Sequence, residues 1–324
     1  MTQTEVDISI VVPVYAEEAN ILPFLQRTEA VLEKMSVSYE IIFSLDPSPD
    51  RTEEVIGREI LRNPRIKLIT YSRRFGQPAA TIGGILHCLG RHCVVIDVDL
   101  QDPPETIEPM YAKLAEGYEV VYAVRRSRAG ETIVKRLIAH LGYKVINSLS
   151  DVQIPRNAGD FRIMTRRVIE ELRLMPESHG FLRGLVAHIG FRQTSIEYDR
   201  DPRFSGHGKY NRLTGSVKIG LNGIISFSSR PLQLMSVAGF ILASFSFLLG
   251  AWYVFQHFIG VPLTAGLPTT VLVVTFFSGV QLLSLGLIGE YIGRIYDEVK
   301  RRPMYIVDKK LNIGQGPTRD ESER

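Results

Sequence analysis

Cysteine is almost missing from this chain of 324 residues: Cys88 and Cys93 are the only two, and their spacing suits no metal site. A disulfide scaffold and a thiolate zinc site are thereby excluded, and both cysteines read as small apolar residues of a reducing compartment. Equally missing are G-x-G-x-x-G, G-x-x-x-x-G-K-[ST], H-E-x-x-H and G-x-S-x-G. Dinucleotide dehydrogenases, P-loop ATPases, zincins and serine hydrolases lose most of their support. The chain has no internal repeat, and only its end from Gly314 (GQGPTRDESER) reads as disordered. A net charge of +3 is too small a surplus to indicate nucleic acid as a partner.

Charge vanishes altogether in one place. Residues 231–289 form a run of 59 without Asp, Glu, Lys or Arg, although charged residues make up 23% of the chain. The run divides at Gly260-Val-Pro262 and Gly266-Leu-Pro268 into apolar segments over about 232–259 and 267–288. Each reaches the ~20 residues needed to span a bilayer. A two-helix membrane hairpin is expected; the alternative, a buried helix pair, would normally keep some polar face, and here there is none. Basic residues flank the hairpin on both sides and none lies in its connecting loop. The positive-inside rule therefore puts both flanks on the cytoplasmic side of the membrane. Asp7 is followed at once by strand-like sequence, so no signal peptide is expected.

The first 125 residues alternate strand and helix patterns, with strands expected at 8–15, 39–46, 67–72, 93–99 and 119–125. Such alternation implies an α/β fold with a mainly parallel sheet covered on both faces. Ligands of open α/β sheets bind beyond the carboxyl ends of the strands. Tyr15, Asp46, Arg73, Arg74, Asp97, Asp99 and Arg125 all fall there. Two amphipathic stripes follow, one over 131–147 and one over 213–225, the second next to the first span and suited to the lipid interface. The organisation expected is a cytoplasmic domain over 1–210, juxtamembrane helices over 211–230, two spans over 231–290 and a cytoplasmic tail over 291–324.

Asp97-Val-Asp99 is the most informative motif. On an extended strand, side chains at i and i+2 leave the same face, so the two carboxylates are expected to converge and hold a hard cation that clamps a diphosphate. The alternative is a pair of solvated turn residues. Asp102-Pro103-Pro104-Glu105 has the pattern of a helix N-cap and is read as structural. Asp50, with Glu53 three residues on, is read in the same way.

Together, Val11-Val-Pro-Val-Tyr-Ala-Glu-Glu18, Leu45-Asp-Pro-Ser-Pro-Asp-Arg-Thr52, Ser72-Arg-Arg-Phe-Gly76, Asp97-Val-Asp-Leu-Gln-Asp-Pro-Pro-Glu105 and Gly159-Asp-Phe-Arg162, ahead of a two-span C-terminus, resemble the family 2 glycosyltransferases that load polyprenyl phosphate with a sugar. Bactoprenol glucosyltransferases and dolichyl-phosphate mannose synthases belong to that group. The sequence departs from the pattern at Ala16, where Asn is usual, and at Leu45-Asp46-Pro47-Ser48, where Asp-Asp-Gly-Ser is usual. The resemblance implies a GT-A fold, inverting chemistry and Mg²⁺ or Mn²⁺. It implies that Pro13, Tyr15, Glu17, Asp46, Arg73 and Asp97 bind the nucleotide sugar, and that Asp97, Asp99 and Gln101 surround the metal.

Asp160 matches the position proposed as the base. An acceptor phosphate monoester has a second pKa of about 6, however, and already carries a nucleophilic oxyanion at neutral pH. Asp160 is thus open to three readings: base, orienting group or turn residue. A donor diphosphate and an acceptor phosphate also repel each other strongly. Arg125, with Arg126 and Arg128, and Arg200, Arg203 and Lys209 are the cations expected to offset that repulsion, and the resemblance places Arg183 near the acceptor as well. Attraction to anionic lipid is the alternative for most of them, and a structural ion pair for Arg183. Gly206 and Gly208 suggest a loop over 200–210 that closes on the donor.

The expected activity is metal-dependent transfer of one sugar, with UDP-glucose the favoured donor, to undecaprenyl phosphate at the cytoplasmic membrane face. GDP-mannose is the nearest rival donor. A processive synthase is disfavoured by the lack of Gln-x-x-Arg-Trp and by too few spans, and a catalytically dead adaptor by the intact Asp97, Asp99 and Asp160. A homo-oligomer is left open.

Overall fold

The structure is a computed structural model and describes residues 6–126, 158–175, 181–202, 204, 228–260 and 266–313. The chain divides into two compact units, one of residues 1–144, 152–218 and 303–324, the other of 145–151 and 219–302.

In the first unit, β1 (Ile8–Val14), α1 (Glu18–Lys34), β2 (Tyr39–Leu45), α2 (Thr52–Arg62), β3 (Ile66–Tyr71), α3 (Gln77–His87) and β4 (His92–Val95) alternate in chain order. A 3-10 turn (Pro104–Thr106) leads into α4 (Ile107–Ala115). Then come β5 (Val120–Arg125), β6 (Ala158–Thr165), α5 (Arg166–Arg173), α6 (Leu182–Ile189), β7 (Gln193–Tyr198) and, much later in the chain, β8 (Val307–Leu311). One sheet holds all eight strands in the order β7-β5-β6-β4-β1-β2-β3-β8. β4, β1, β2 and β3 are parallel, as is the β5–β7 pair, while β6 runs antiparallel to β4 and β5 and β8 antiparallel to β3.

All seven residues of β1 are buried, as a strand covered on both faces requires. Pro13 is tolerated in this central strand because pairing with β4 stops at Val11↔Val95. Its missing N–H therefore lies beyond the end of that ladder. Helix α3 rests very close to the sheet: a Cβ on Gly83 would come within 2.2 Å of the Tyr71 hydroxyl, and one on Gly84 within 2.4 Å of Val11. This close seat fixes the start of α3, including Gln77, at the rim where β4 ends.

Residues after the apolar helices contribute to the sheet, so the segment expected as a tail is partly folded. The Ser72 amide donates to the Ile306 carbonyl at 3.0 Å, and Tyr305 packs edge-on against Tyr71 at 5.4 Å between centroids. Truncation after Arg302 would bare the β3 edge and remove that ring. A fall in thermal stability of about 2–4 kcal/mol is expected, read by thermal unfolding of the detergent-solubilised protein; an unchanged midpoint would make β8 an ornament.

The second unit is built on α7 (Arg230–Phe258) and α8 (Leu267–Val299). Windows of 23 and 27 residues in them, with mean hydropathy 2.0 and 1.5 and none of their residues buried, are long and apolar enough to cross a membrane. The Tyr291 hydroxyl donates to the Ser228 carbonyl at 2.7 Å, tying the start of one helix to the end of the other. Both amphipathic stripes lie outside the described residues.

Candidate active site

Strand β4 ends at Val95, short of the aspartates, so Asp97-Val-Asp99 is not the end of an extended strand. Asp99 lies in a turn that ends at Leu100, whose φ is +58°. The reasoning from alternating strand faces therefore fails here, and the turn itself arranges the two carboxylates. Asp99 is buried and its Oδ1 accepts the Gln101 amide at 3.2 Å. Asp97 Oδ1 accepts from Gln77 Nε2 at 2.9 Å. Burial, then the charges of Asp102, Asp160 and Asp99, push the Asp97 carboxyl up to about 8 against the pull of Arg125.

Among the described residues no three His, Cys, Asp or Glu side chains form a metal cage of their own. The donor set nonetheless fits Mg²⁺ or Mn²⁺, which take one or two carboxylates and complete their shell with substrate phosphates. A cation beside Asp97 would offset the neighbouring negative charges that, with burial, raise its carboxyl.

Asp160 stands in β6, which brings it to the same rim because β6 runs antiparallel to β4 with Arg162 opposite Val95. Arg183, in the first turn of α6, grips it through Nε–Oδ1 at 2.9 Å and Nη2–Oδ2 at 3.3 Å. From below, fully buried Arg162 donates Nη2 to Oδ1 at 3.3 Å and to the Gly159 carbonyl at 3.1 Å, and Nε to the Asp160 carbonyl at 3.2 Å. Burial works against ionisation of Asp160, but Arg183, Arg162 and Arg125 outweigh it and hold the carboxyl below the usual carboxylate range. Arg162 stood in the family-like block without a role; its spacing of two from Asp160 along one strand face was the available signal.

The residues expected to bind the nucleotide sugar gather around the ends of β1, β2 and β3. Asp46 is buried, and its carboxylate accepts the Phe75 and Gly76 amides at 3.1 and 2.8 Å, which folds the loop after β3 over the rim. Gly76 there has φ +93°, a conformation glycine adopts without strain. The Arg74 guanidinium lies 3.8 Å over the Tyr15 ring and that of Arg73 4.0 Å over Phe75. The Glu17 carboxylate accepts from Asn20 at 2.5 Å, and its amide donates to Thr52 Oγ1 at 3.0 Å. Asp50 does more than start a helix: it accepts the Thr52 amide and hydroxyl and also the Glu18 amide of α1.

Asp102 is the clearest misreading. No side-chain cap bond is made at the Pro104–Thr106 turn. Instead the buried Asp102 carboxylate accepts the Tyr198 hydroxyl and faces Arg125 at 3.5 Å and Arg200 at 3.7 Å. Arg126 is exposed and pairs with Glu197 and Asp199, away from the rim carboxylates. Arg128, Arg203 and Lys209, and with them the Gly206 and Gly208 hinges, lie outside the described residues.

A mainly parallel sheet whose carboxyl rim joins an aspartate turn and an arginine-clasped aspartate has the architecture of a glycosyltransferase of GT-A type. The chain belongs to glycosyl transferase family 2, whose model matches residues 9–173. It is 44% identical over 305 residues to the uncharacterized glycosyltransferase YkcC of Bacillus subtilis, covering 94% of each chain. It is 38% identical over 302 residues to the SfII prophage-derived bactoprenol glucosyl transferase of Shigella flexneri, covering 93% of this chain and 97% of that one. A prophage bactoprenol glucosyl transferase homolog of Escherichia coli is 37% identical, with 93% and 98% covered.

Proposed function

We propose that the protein transfers one glucosyl unit from UDP-glucose to a polyprenyl phosphate, with inversion, at the cytoplasmic face of a bacterial plasma membrane. The observation that carries the reading is the rim itself: the Asp97–Asp99 turn lies beside an aspartate already neutralised by arginines, on a chain with two bilayer-length helices. The near full-length relatives named bactoprenol glucosyl transferase support the choice of sugar and lipid.

On this reading Asp99, with Asp97 and Gln101, holds Mg²⁺ or Mn²⁺, which when bound neutralises the donor diphosphate and stabilises it as a leaving group. Pro13, Tyr15, Glu17 and Asp46 bound the nucleoside end, and Arg73 and Arg74 close over it. Asp160 does not remove a proton. Its carboxylate, locked by Arg162 and Arg183, orients Arg183 and Arg125 toward the acceptor phosphate, whose oxyanion is the nucleophile. Asp102 engages Arg125 and Arg200, Asp160 engages Arg162 and Arg183, and a divalent ion would match the diphosphate. The acceptor phosphate brings further negative charge, and Arg128, Arg203 and Lys209 are assigned to it together with Arg125 and Arg183.

β8 follows α8 in the chain yet belongs to the sheet that begins with β1, so both ends of the hairpin start from one compact unit. Cysteine substituted for Ala265 is therefore expected to react with an impermeant maleimide from the periplasm, and cysteine at Ser322 only after permeabilisation. Labelling of both from one side would contradict the topology. The donor is tested by offering labelled UDP-glucose, other UDP-sugars and GDP-mannose with undecaprenyl phosphate and extracting the lipid. UDP-glucose is expected to dominate, and preference for GDP-mannose would replace it.

A further inference from the structure

Asp102 enters the reading above only as a charge that arginines match, yet it sits at the junction of its two halves. Its carboxylate is 2% exposed and close enough to Asp97 to repel that charge. An uncharged acceptor could hold the Tyr198 hydroxyl without that cost. What an uncharged group would not do is hold two guanidiniums. Arg125 reaches Asp102 through Nη2 at 3.5 Å and Arg200 through Nε at 3.7 Å. Tyr198 completes the arrangement, donating to Asp102 while accepting Arg125 Nε at 3.2 Å, so both capacities of the hydroxyl are used.

The backbone follows the same line. The Asp201 amide donates to the Gln101 carbonyl at 3.0 Å and the Phe204 amide to the Asp99 carbonyl at 3.5 Å. Arg27 of α1 clasps Glu105 at 2.7 Å and Asp201 at 2.9 Å, fastening the two stretches together. The segment after β7 is thus laid along the aspartate turn, and any ligand that reshapes the turn acts directly on that segment.

We infer that Asp102 is a positioning residue that couples the aspartate turn at 97–101 to Arg125, Arg200 and the chain leading to Arg203 and Lys209. The inference rests on the glycosyltransfer reading. Donor binding at the turn then sets the arginines that receive the acceptor phosphate, and neither half of the site is complete without the other.

The test compares wild type with Asp102→Asn, Asp102→Glu and Tyr198→Phe in three measurements: UDP affinity in the presence of Mn²⁺, hydrogen–deuterium exchange over 199–204 with and without those ligands, and kcat and KM for polyprenyl phosphate. Asp102→Asn should keep UDP affinity within about threefold, lower kcat about ten- to a hundredfold and lose the ligand-induced protection of 199–204. Asp102→Glu, which keeps the charge, should recover part of kcat, and Tyr198→Phe should fall between wild type and Asp102→Asn. Wild-type kcat and protection in Asp102→Asn would overturn the inference. So would a parallel loss of UDP affinity, kcat and thermal stability that the Glu variant does not relieve, since that marks a packing residue. Failure of wild type to bind UDP with Mn²⁺ would count against the glycosyltransfer reading alone. In that case faster exchange over 199–204 in ligand-free Asp102→Asn than in Asp102→Glu still supports the inference, and equal exchange overturns it.

Discussion

Replacing Asp99 by asparagine is expected to cut sugar transfer about a thousandfold, close to 4 kcal/mol of transition-state stabilisation, while the protein stays folded. Asparagine keeps an Oδ1 that can accept the Gln101 amide now held at 3.2 Å, so the turn retains its shape. What disappears is the anionic oxygen that Asp99 would offer a divalent cation, which leaves the carboxylate of Asp97 alone to hold it. UDP binding should lose its dependence on Mn²⁺ in the same variant. Measured transfer close to wild type, or wild-type activity in excess chelator, would remove the metal from the mechanism.

Asp160→Asn is expected to act on stability and activity together. It leaves Arg162, which has no exposed surface, without an anionic partner, and removing one member of such a buried pair costs about 3 kcal/mol or more. The melting temperature should fall by on the order of 10 °C. Because the folded carboxyl titrates below its ordinary value, its stabilisation is fully present above the unfolded pKa of about 3.9 and fades only as pH falls through the lower folded value. Between pH 6 and 8 the loss should therefore be flat. The pH profile of kcat/KM for the acceptor should show the acceptor phosphate's inflection, about pH 6, in both proteins. A general base would behave otherwise: wild type would carry a further inflection that the variant lacks, and such a result would restore Asp160 to proton transfer.

β7 was not expected, whereas β1, β2, β3 and β5 were legible because each is a short, largely apolar run, and their starts and ends moved by at most one position. β4 was the exception. Its apolar run continues through Ile96 and Val98, but the chain turns after Val95, and composition alone cannot distinguish a buried strand from a buried turn. β8 was invisible for the opposite reason: Val-Asp-Lys-Lys-Leu is an exposed edge strand whose only partner, β3, lies more than two hundred residues away in sequence. In the site, residue type and rim position singled out Asp97 and Asp99, whereas Asp160 and Arg183 were singled out only by their match to family-like positions, and the structure pairs those two with each other. Asp102 was misread because the spacing of an N-cap, a proline and a following Glu matches a helix start whichever way the carboxylate points. Its tertiary partners, Tyr198, Arg125 and Arg200, decide the matter, and no local pattern records them.

The central claim is tested most directly by the anomeric configuration of the product. Purified protein, UDP-α-glucose, undecaprenyl phosphate and Mn²⁺ should give a lipid-extractable glucosyl phosphate whose anomeric proton has the NMR coupling of a β-glucoside, and none of it should form with Asp99→Asn. An α-linked product, or label released only as free glucose, would contradict inverting transfer to a polyprenyl phosphate.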